Sequence, residues 1–255
     1  QIPSELYLNN QDGTFKEVGS ISGSRITAMV KGVTSADYNN DGREDIFIST
    51  CGGAKILLQN IATKNGIPMF IKSTVTAGLE DNFKKTFPTW FWDYNNDGWM
   101  DFMVLRGAWL TNLNLPNSLF RNNGDGTFSD VTIEAGLLSF HPTQAGVFCD
   151  FNNDGFLDLF IGNESTKNTH PNELYLNDTK GKFTNVLAGS GVENLVFFCK
   201  GITAGDINND GWTDVYMTRM GGDNVMLLNR STATKIQFEN ISSTSGTVNP
   251  QGSFS

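Results

Sequence analysis

An all-β fold assembled from four-stranded units is what this sequence predicts, on three observations. A nine-residue acidic stretch occurs four times, as "DYNNDGRED" from Asp37, "DYNNDGWMD" from Asp93, "DFNNDGFLD" from Asp150 and "DINNDGWTD" from Asp206, at spacings of 56 or 57 residues. Short runs rich in β-branched and aromatic residues surround every copy, parted by Gly, Asn and Asp. No segment offers ten or more residues with a helical period of apolar positions.

Each unit spells the same four strands in order. An apolar or alternating run comes first ("GVTSADY", "FPTWFWDY", "AGVFCDF", "GITAGDI"), then the acidic loop, then a β-rich run ("DIFIS", "DFMVL", "DLFIG", "DVYMT"). A third run follows ("KILLQN", "SLFRNN", "ELYLND", "VMLLNR"), and a fourth centred on Phe closes the unit ("MFIKSTV", "GTFSDVT", "GKFTNVL", "IQFENIS"). One such unit buries too little surface to fold alone, so units of this length stack as the blades of a β-propeller.

The phase of the repeat divides the chain. Residues 1–25 supply the last two strands of a blade ("ELYLNNQDGTFKEV"), and complete blades occupy about 26–80, 81–137, 138–193 and 194–245. Residues 246–255 lead into a further first strand, with Phe254 matching Phe87. A longer period joins "MVKGVTSADYNNDG" from Met29 to "FCKGITAGDINNDG" from Phe198. Blades therefore come in triplets, and the sequence reads as a single propeller region of a longer chain with six or seven blades. Further chain segments would complete it, because an open ring exposes strand edges.

The acidic loop reads as a metal site. In D-x-N-x-D-G-x-x-D the side chains of positions 1, 3, 5 and 9 and the carbonyl of position 7 are hard oxygen donors, and Gly at position 6 permits a left-handed turn. The candidate ligands are Asp37, Asn39, Asp41, Arg43 and Asp45; Asp93, Asn95, Asp97, Trp99 and Asp101; Asp150, Asn152, Asp154, Phe156 and Asp158; and Asp206, Asn208, Asp210, Trp212 and Asp214. With no His or Cys among them, the expected ion is Ca²⁺, in about four sites. A single copy would equally suit a metal-free Asx turn, whereas four copies with the same donors argue for the ion. Position 9 opens a strand and no Glu stands at position 12, so a helix-flanked EF-hand is excluded. Four Ca²⁺ ions would take the net charge from -9 to about -1, which accounts for the acidic composition. The "NNQDGTF" and "NNGDGTF" turns lack the later Asp and read as plain hairpins.

The loops, the strand order and the "LYLNN-DGTF" hairpins resemble the FG-GAP/VCBS repeats of integrin-α-type propellers. "FPTWFWDYNNDGWMD", "IGNES…HPNELYLND" and "RNNGDGTFSDVTIEAGL" are similar to the subgroup found with ASPIC/UnbV domains and in cartilage acidic protein. That resemblance implies a secreted or cell-surface, calcium-stabilised module that binds an extracellular protein or a glycan. It also implies docking on the face opposite the metal loops, made by the loops joining strands two to three and four to one. The longest of the former run from Arg106 to Asn117, with Trp109, and from Asn163 to Asn172, with His170.

The remaining features exclude more than they add. A net charge of -9 disfavours nucleic acid and anionic membrane surfaces. The 19 Phe and 5 Trp are too many for a disordered chain. No apolar run approaches a membrane span. Cys51, Cys149 and Cys199 show no metal spacing and read as small buried side chains. Trp90 and Trp92 alternate onto one face and read as core between blades. His141 and His170 read as ordinary loop residues. No catalytic constellation appears (no G-x-S-x-G, HExxH or phosphate-cradling loop), and the carboxylate pairs are accounted for as metal ligands. A non-catalytic adhesion or assembly module is therefore expected, with a lectin-like propeller as the alternative and an enzyme third. Asn163, Asn177, Asn229 and Asn240 head N-glycosylation sequons, which would matter in a eukaryotic secreted protein.

Overall fold

A computed structural model describes residues 2–51, 53–80, 89–106, 115–165 and 169–249. Among the described residues the elements are strands, with one short helix. Strands β1 (Tyr7–Asn9) and β2 (Phe15–Glu17) form a hairpin, and helix α1 covers Gly19–Ser22. Four antiparallel sheets follow, each with its strands side by side in chain order. They comprise β3 (Val30–Ala36), β4 (Asp45–Thr50), β5 (Ile56–Lys64) and β6 (Ile67–Lys72); β7 (Thr89–Trp92), β8 (Asp101–Val104), β9 (Ser118–Asn122) and β10 (Phe128–Asp130); β11 (Thr143–Cys149), β12 (Asp158–Asn163), β13 (Glu173–Asn177) and β14 (Phe183–Asn185); and β15 (Cys199–Gly205), β16 (Asp214–Arg219), β17 (Val225–Asn229) and β18 (Phe238–Asn240). This four-stranded meander is the propeller blade that the repeat predicts.

Register places every acidic loop identically. The last residue of each first strand faces the Asp of loop position 9, as Ala36↔Asp45, Trp92↔Asp101, Cys149↔Asp158 and Gly205↔Asp214. Three of the first strands carry a bulge near their start, between Val30 and Gly32, Thr143 and Ala145, and Cys199 and Gly201. Strand β5 runs farther than its "KILLQN" core suggests. It continues to Lys64 and turns back through Asn65 and Gly66, both at positive φ, the pairing of a two-residue hairpin.

The chain forms two compact units. The described residues within 1–93, 97–104 and 119–131 form the first, and those within 94–96, 105–118 and 132–255 form the second. The core of the first is aromatic: Phe102 lies 4.6 Å from Phe47, 4.8 Å from Phe120 and 4.9 Å from Phe128, ring centroid to ring centroid. Phe91 packs against this cluster, while Trp90 and Trp92 alternate onto the other face of β7, half-buried and buried. The core of the second centres on Phe151, Phe160, Phe238, Leu174 and Met217. Cys199 belongs to that core, but Cys51 and Cys149 are only half-buried, which corrects the expectation of three buried thiols.

Polar contacts join consecutive blades as regularly as the apolar ones. In the first unit the N–H of Phe128 donates to the carbonyl of Ala77 (2.9 Å). In the second, Phe183 N–H donates to Ala135 (2.8 Å) and Phe238 N–H to Ser190 (2.7 Å). Each acceptor lies in the turn leaving the preceding blade, just before Gly78, Gly136 or Gly191, all at positive φ.

Candidate functional site

The four acidic loops share one backbone trace. Position 4 is a left-handed Asn (Asn40, Asn96, Asn153, Asn209; φ 55 to 59°), and position 6 is a left-handed Gly (Gly42, Gly98, Gly155, Gly211). The position-1 carboxylate holds the turn by accepting two amides. Asp37 accepts from Asp41 N–H (3.0 Å) and Gly42 N–H (2.7 Å), and Asp93 from Asp97 N–H (3.0 Å) and Gly98 N–H (2.7 Å). Asp150 does so with Asp154 and Gly155, and Asp206 with Asp210 and Gly211. The position-5 carboxylate accepts the N–H of position 7, namely Arg43, Trp99, Phe156 or Trp212, at 2.9 to 3.0 Å. Clustered Asp and Asn thus form the turn themselves, because short acceptors satisfy amides that the tight bend leaves unpaired.

Position 9 is buried in every loop, at Asp45, Asp101, Asp158 and Asp214. One of its oxygens accepts the N–H of an Asn in the third strand, at the strand's end in Asn122 and Asn229 (2.7 Å) and Asn177 (2.9 Å) and within the longer β5 in Asn60 (2.7 Å). In three loops the other oxygen accepts the N–H of position 2 (Tyr38, Phe151 and Ile207). Burial, against the pull of these amides and with the neighbouring loop aspartates adding to it, pushes Asp45 up to about 6 and Asp158 up to about 7. The exposed Asp206 moves the other way, lowered by the amide of Gly211.

The donors are hard oxygens on a single loop, which fits a Ca²⁺ ion in chemistry. Among the described residues, no group of three or more His, Cys, Asp or Glu is gathered to hold a metal by itself. A cation would therefore draw on Asn oxygens and a backbone carbonyl as well. The amide nitrogens of Asn152 and Asn208 donate to Asp154 and Asp210 (both 2.9 Å), and Arg43 pairs with Asp41 at 2.6 Å. Turning the two amides over would present oxygen in place of nitrogen. Asn39 and Asn95 sit at the same position of the first two loops, both half-buried.

The other predicted residues fare differently. Trp109 lies outside the described residues. His170 has a partner that no short motif announces: its Nδ1 stands 3.0 Å from Nδ1 of His141, across the loops that precede β11 and β13. Three of the four sequons are corrected. Asn163, Asn177 and Asn229 are buried, and their side-chain nitrogens are occupied. Asn163 donates to the Pro171 carbonyl (2.7 Å), Asn177 to the Tyr94 carbonyl (3.0 Å) and Asn229 to the Phe151 carbonyl (2.9 Å), which leaves no room for a glycan in the folded chain. Asn240 is exposed.

These buried Asn residues are the functional group that sequence reasoning missed. Asn122, Asn177 and Asn229 each reach the carbonyl of loop position 2 one blade earlier (Tyr38, Tyr94 and Phe151) and a second carbonyl beside their own loop (Met100, Leu157 and Thr213). Their signal was present as the Asn that ends "LLQN", "LFRN", "LYLN" and "MLLN". It links the acidic loop of one blade to the sheet of the next.

Comparison with known proteins agrees with this repeat. The chain is 45% identical over 73 residues to human cartilage acidic protein 1, covering 28% of this chain and 10% of that protein. It is 24% identical over 230 residues to the Xenopus tropicalis protein of the same name, covering 82% and 34%. The Mus musculus protein is 44% identical over 66 residues, covering 26% and 10%. The chain thus spans about a third or less of the length of these relatives. The family model of the FG-GAP-like repeat matches residues 3–48, 93–161 and 150–217, most of the chain and all or most of each acidic loop, and the chain belongs to the FG-GAP-like repeat family.

Proposed function

We propose that the chain is a non-catalytic, calcium-stabilised binding module that works outside the cell or at its surface. The observation that carries this reading is the fourfold loop: one trace, one set of oxygen donors, and a buried carboxylate at the same register position each time. Bound Ca²⁺ would supply positive charge to three carboxylates that otherwise crowd one turn. Positions 1, 3, 5 and 9 would hold it with the carbonyl of position 7. The chain's own residues fix the turn between first and second strands and tie it, through position 9, to the third. Membership of the FG-GAP-like family and similarity to proteins named cartilage acidic protein 1 support an extracellular structural or adhesive role. No helix among the described residues is long and apolar enough to cross a membrane.

Partner binding belongs, on this reading, to the loops joining strands two to three and four to one, and the partner is an extracellular protein or a glycan. Calorimetric titration of the chelator-stripped chain with Ca²⁺ tests the metal assignment. About four equivalents should bind, and Asp41→Asn together with Asp45→Asn should remove about one of them. Heat no greater than dilution, together with a melting curve that excess chelator leaves in place, would overturn it.

A further inference from the structure

We infer that the end of the last described blade carries a binding site for a small carboxylate, built on Arg219 and separate from the acidic loops. Arg219 ends β16, and its guanidinium lies over the buried Phe197 ring, with Cζ 5.4 Å from the ring centroid. The backbone of Gly222 also approaches it closely, and a Cβ there would stand 2.7 Å from Cζ. Packed against ring and backbone, the guanidinium has no ion pair or hydrogen-bond acceptor among the described residues, and its Nε is buried. It lines a concavity of about 480 Å³ with Ser165, Phe198, Met220 and Gly221.

The equivalent Arg106 shares a buried Nε without an acceptor but differs at its terminal nitrogen. Arg106 occupies the same place two blades earlier, six positions into "DFMVLR", as Arg219 does in "DVYMTR". Arg106 is fully buried and donates to the Pro116 carbonyl (3.0 Å) and to Oγ of Ser118 (2.5 Å), the first residue of its third strand. In the blade between them the pair is Asn163 and Glu173, joined at 3.1 Å. In the last blade the partner position is Val225, which offers no acceptor. Asp223 lies close in sequence but forms no ion pair with Arg219, and the nearby Lys200 is neutralised by Glu164 at 2.6 Å. Among the described residues, the concavity therefore presents the Arg219 guanidinium without a counter-charge.

A guanidinium presents parallel N–H donors that match the two oxygens of a carboxylate, and its aromatic support fixes its plane. The volume suits a ligand of monosaccharide size, with Phe198 and Met220 as an apolar wall and the Ser165 hydroxyl as a polar contact. A sugar acid has these features together. None of the loop aspartates lines the concavity, so a failed calcium titration would leave this site standing, and the reverse also holds.

Glucuronate is the probe, with glucose and inorganic sulfate as comparisons, in titrations of the full chain followed by calorimetry and ligand-observed NMR. Glucuronate should bind at least about tenfold more tightly than glucose, and Arg219→Gln should weaken it by about tenfold or more. Val225→Ser places at β17 the acceptor that captures Arg106 in its own blade, and should weaken glucuronate severalfold while the protein still melts cooperatively. Glucuronate that fails to bind at about 10 mM would overturn the inference. So would equal affinity for glucose, binding of sulfate alone, or Arg219→Gln binding as tightly as the parent chain.

Discussion

Asn177 donates one side-chain amide to two carbonyls while its own N–H meets Asp158, so a single residue ties two blades and their two acidic loops together. Asn177→Ala would leave the Tyr94 and Leu157 carbonyls without that donor in a buried setting. It should lower unfolding free energy by about 2–4 kcal/mol, read as a shift of the denaturant midpoint at constant slope. Mass spectrometry of protein secreted from a eukaryotic host should find glycan on Asn240 and none on Asn163, Asn177 or Asn229. The sequons were legible in the sequence, but their accessibility was not, because a tripeptide says nothing about whether the Asn nitrogen is engaged elsewhere. His141 and His170, 29 residues apart, were equally unreadable as a pair. Burial and the charge of His141 lower the pKa of His170 below its ordinary 6.5. The folded chain then binds fewer protons at this site than the unfolded chain. Its contribution to stability is complete above the ordinary value and is lost as pH falls from there through the lowered value of the folded chain. An NMR titration should place the His170 midpoint below that of a free imidazole, and His141→Ala should raise it.

Two glycines separate the forces that shape the turns. Gly42 sits at φ 82° with open space where a Cβ would go, whereas Gly136 sits at φ 78° with the Phe183 carbonyl 2.6 Å from that point. Gly42→Ala should cost only the left-handed backbone term, about 1–2 kcal/mol. Gly136→Ala should cost clearly more, because the turn must also pull away from β14 and loosen the bond between Phe183 and Ala135. Thermal melts of the two variants side by side would measure the difference. At this scale the sequence was most readable. Alternation, β-branched runs and turn residues marked the strands, and the repeated D-x-N-x-D-G fixed where first and second strands meet. The left-handed Asn at position 4 escaped notice because its neighbour is also Asn, and the fold rather than the residue type decides which one bends. In the first unit Asn40 reaches the carbonyl of Gly98, and in the second Asn153 reaches that of Gly211, so successive loops touch through that residue.

Across the whole chain, charge and repetition set the energetics. With 27 acidic against 18 basic side chains, and 13 of the acidic ones in the four nine-residue loops, Ca²⁺ bound as proposed would stabilise the fold and its removal should lower stability. Each occupied site adds about 1.4 kcal/mol for every tenfold excess of free ion over its dissociation constant. The melting midpoint should therefore rise with the logarithm of added Ca²⁺ and fall in chelator, and added Mg²⁺ should do much less. Blade repetition was plain from the 56-residue period; the division into two compact units was not, because local strand patterns carry no information about which blades pack most closely. The Asn that crosses from one blade to its predecessor has a further consequence. Its acceptor is a main-chain carbonyl, at positions occupied by Tyr38, Tyr94 and Phe151, and every amino acid supplies one. A blade copied within its gene would carry its own donor and find a ready acceptor wherever it was inserted, so an array joined in this way can lengthen by tandem duplication without first evolving a matched seam.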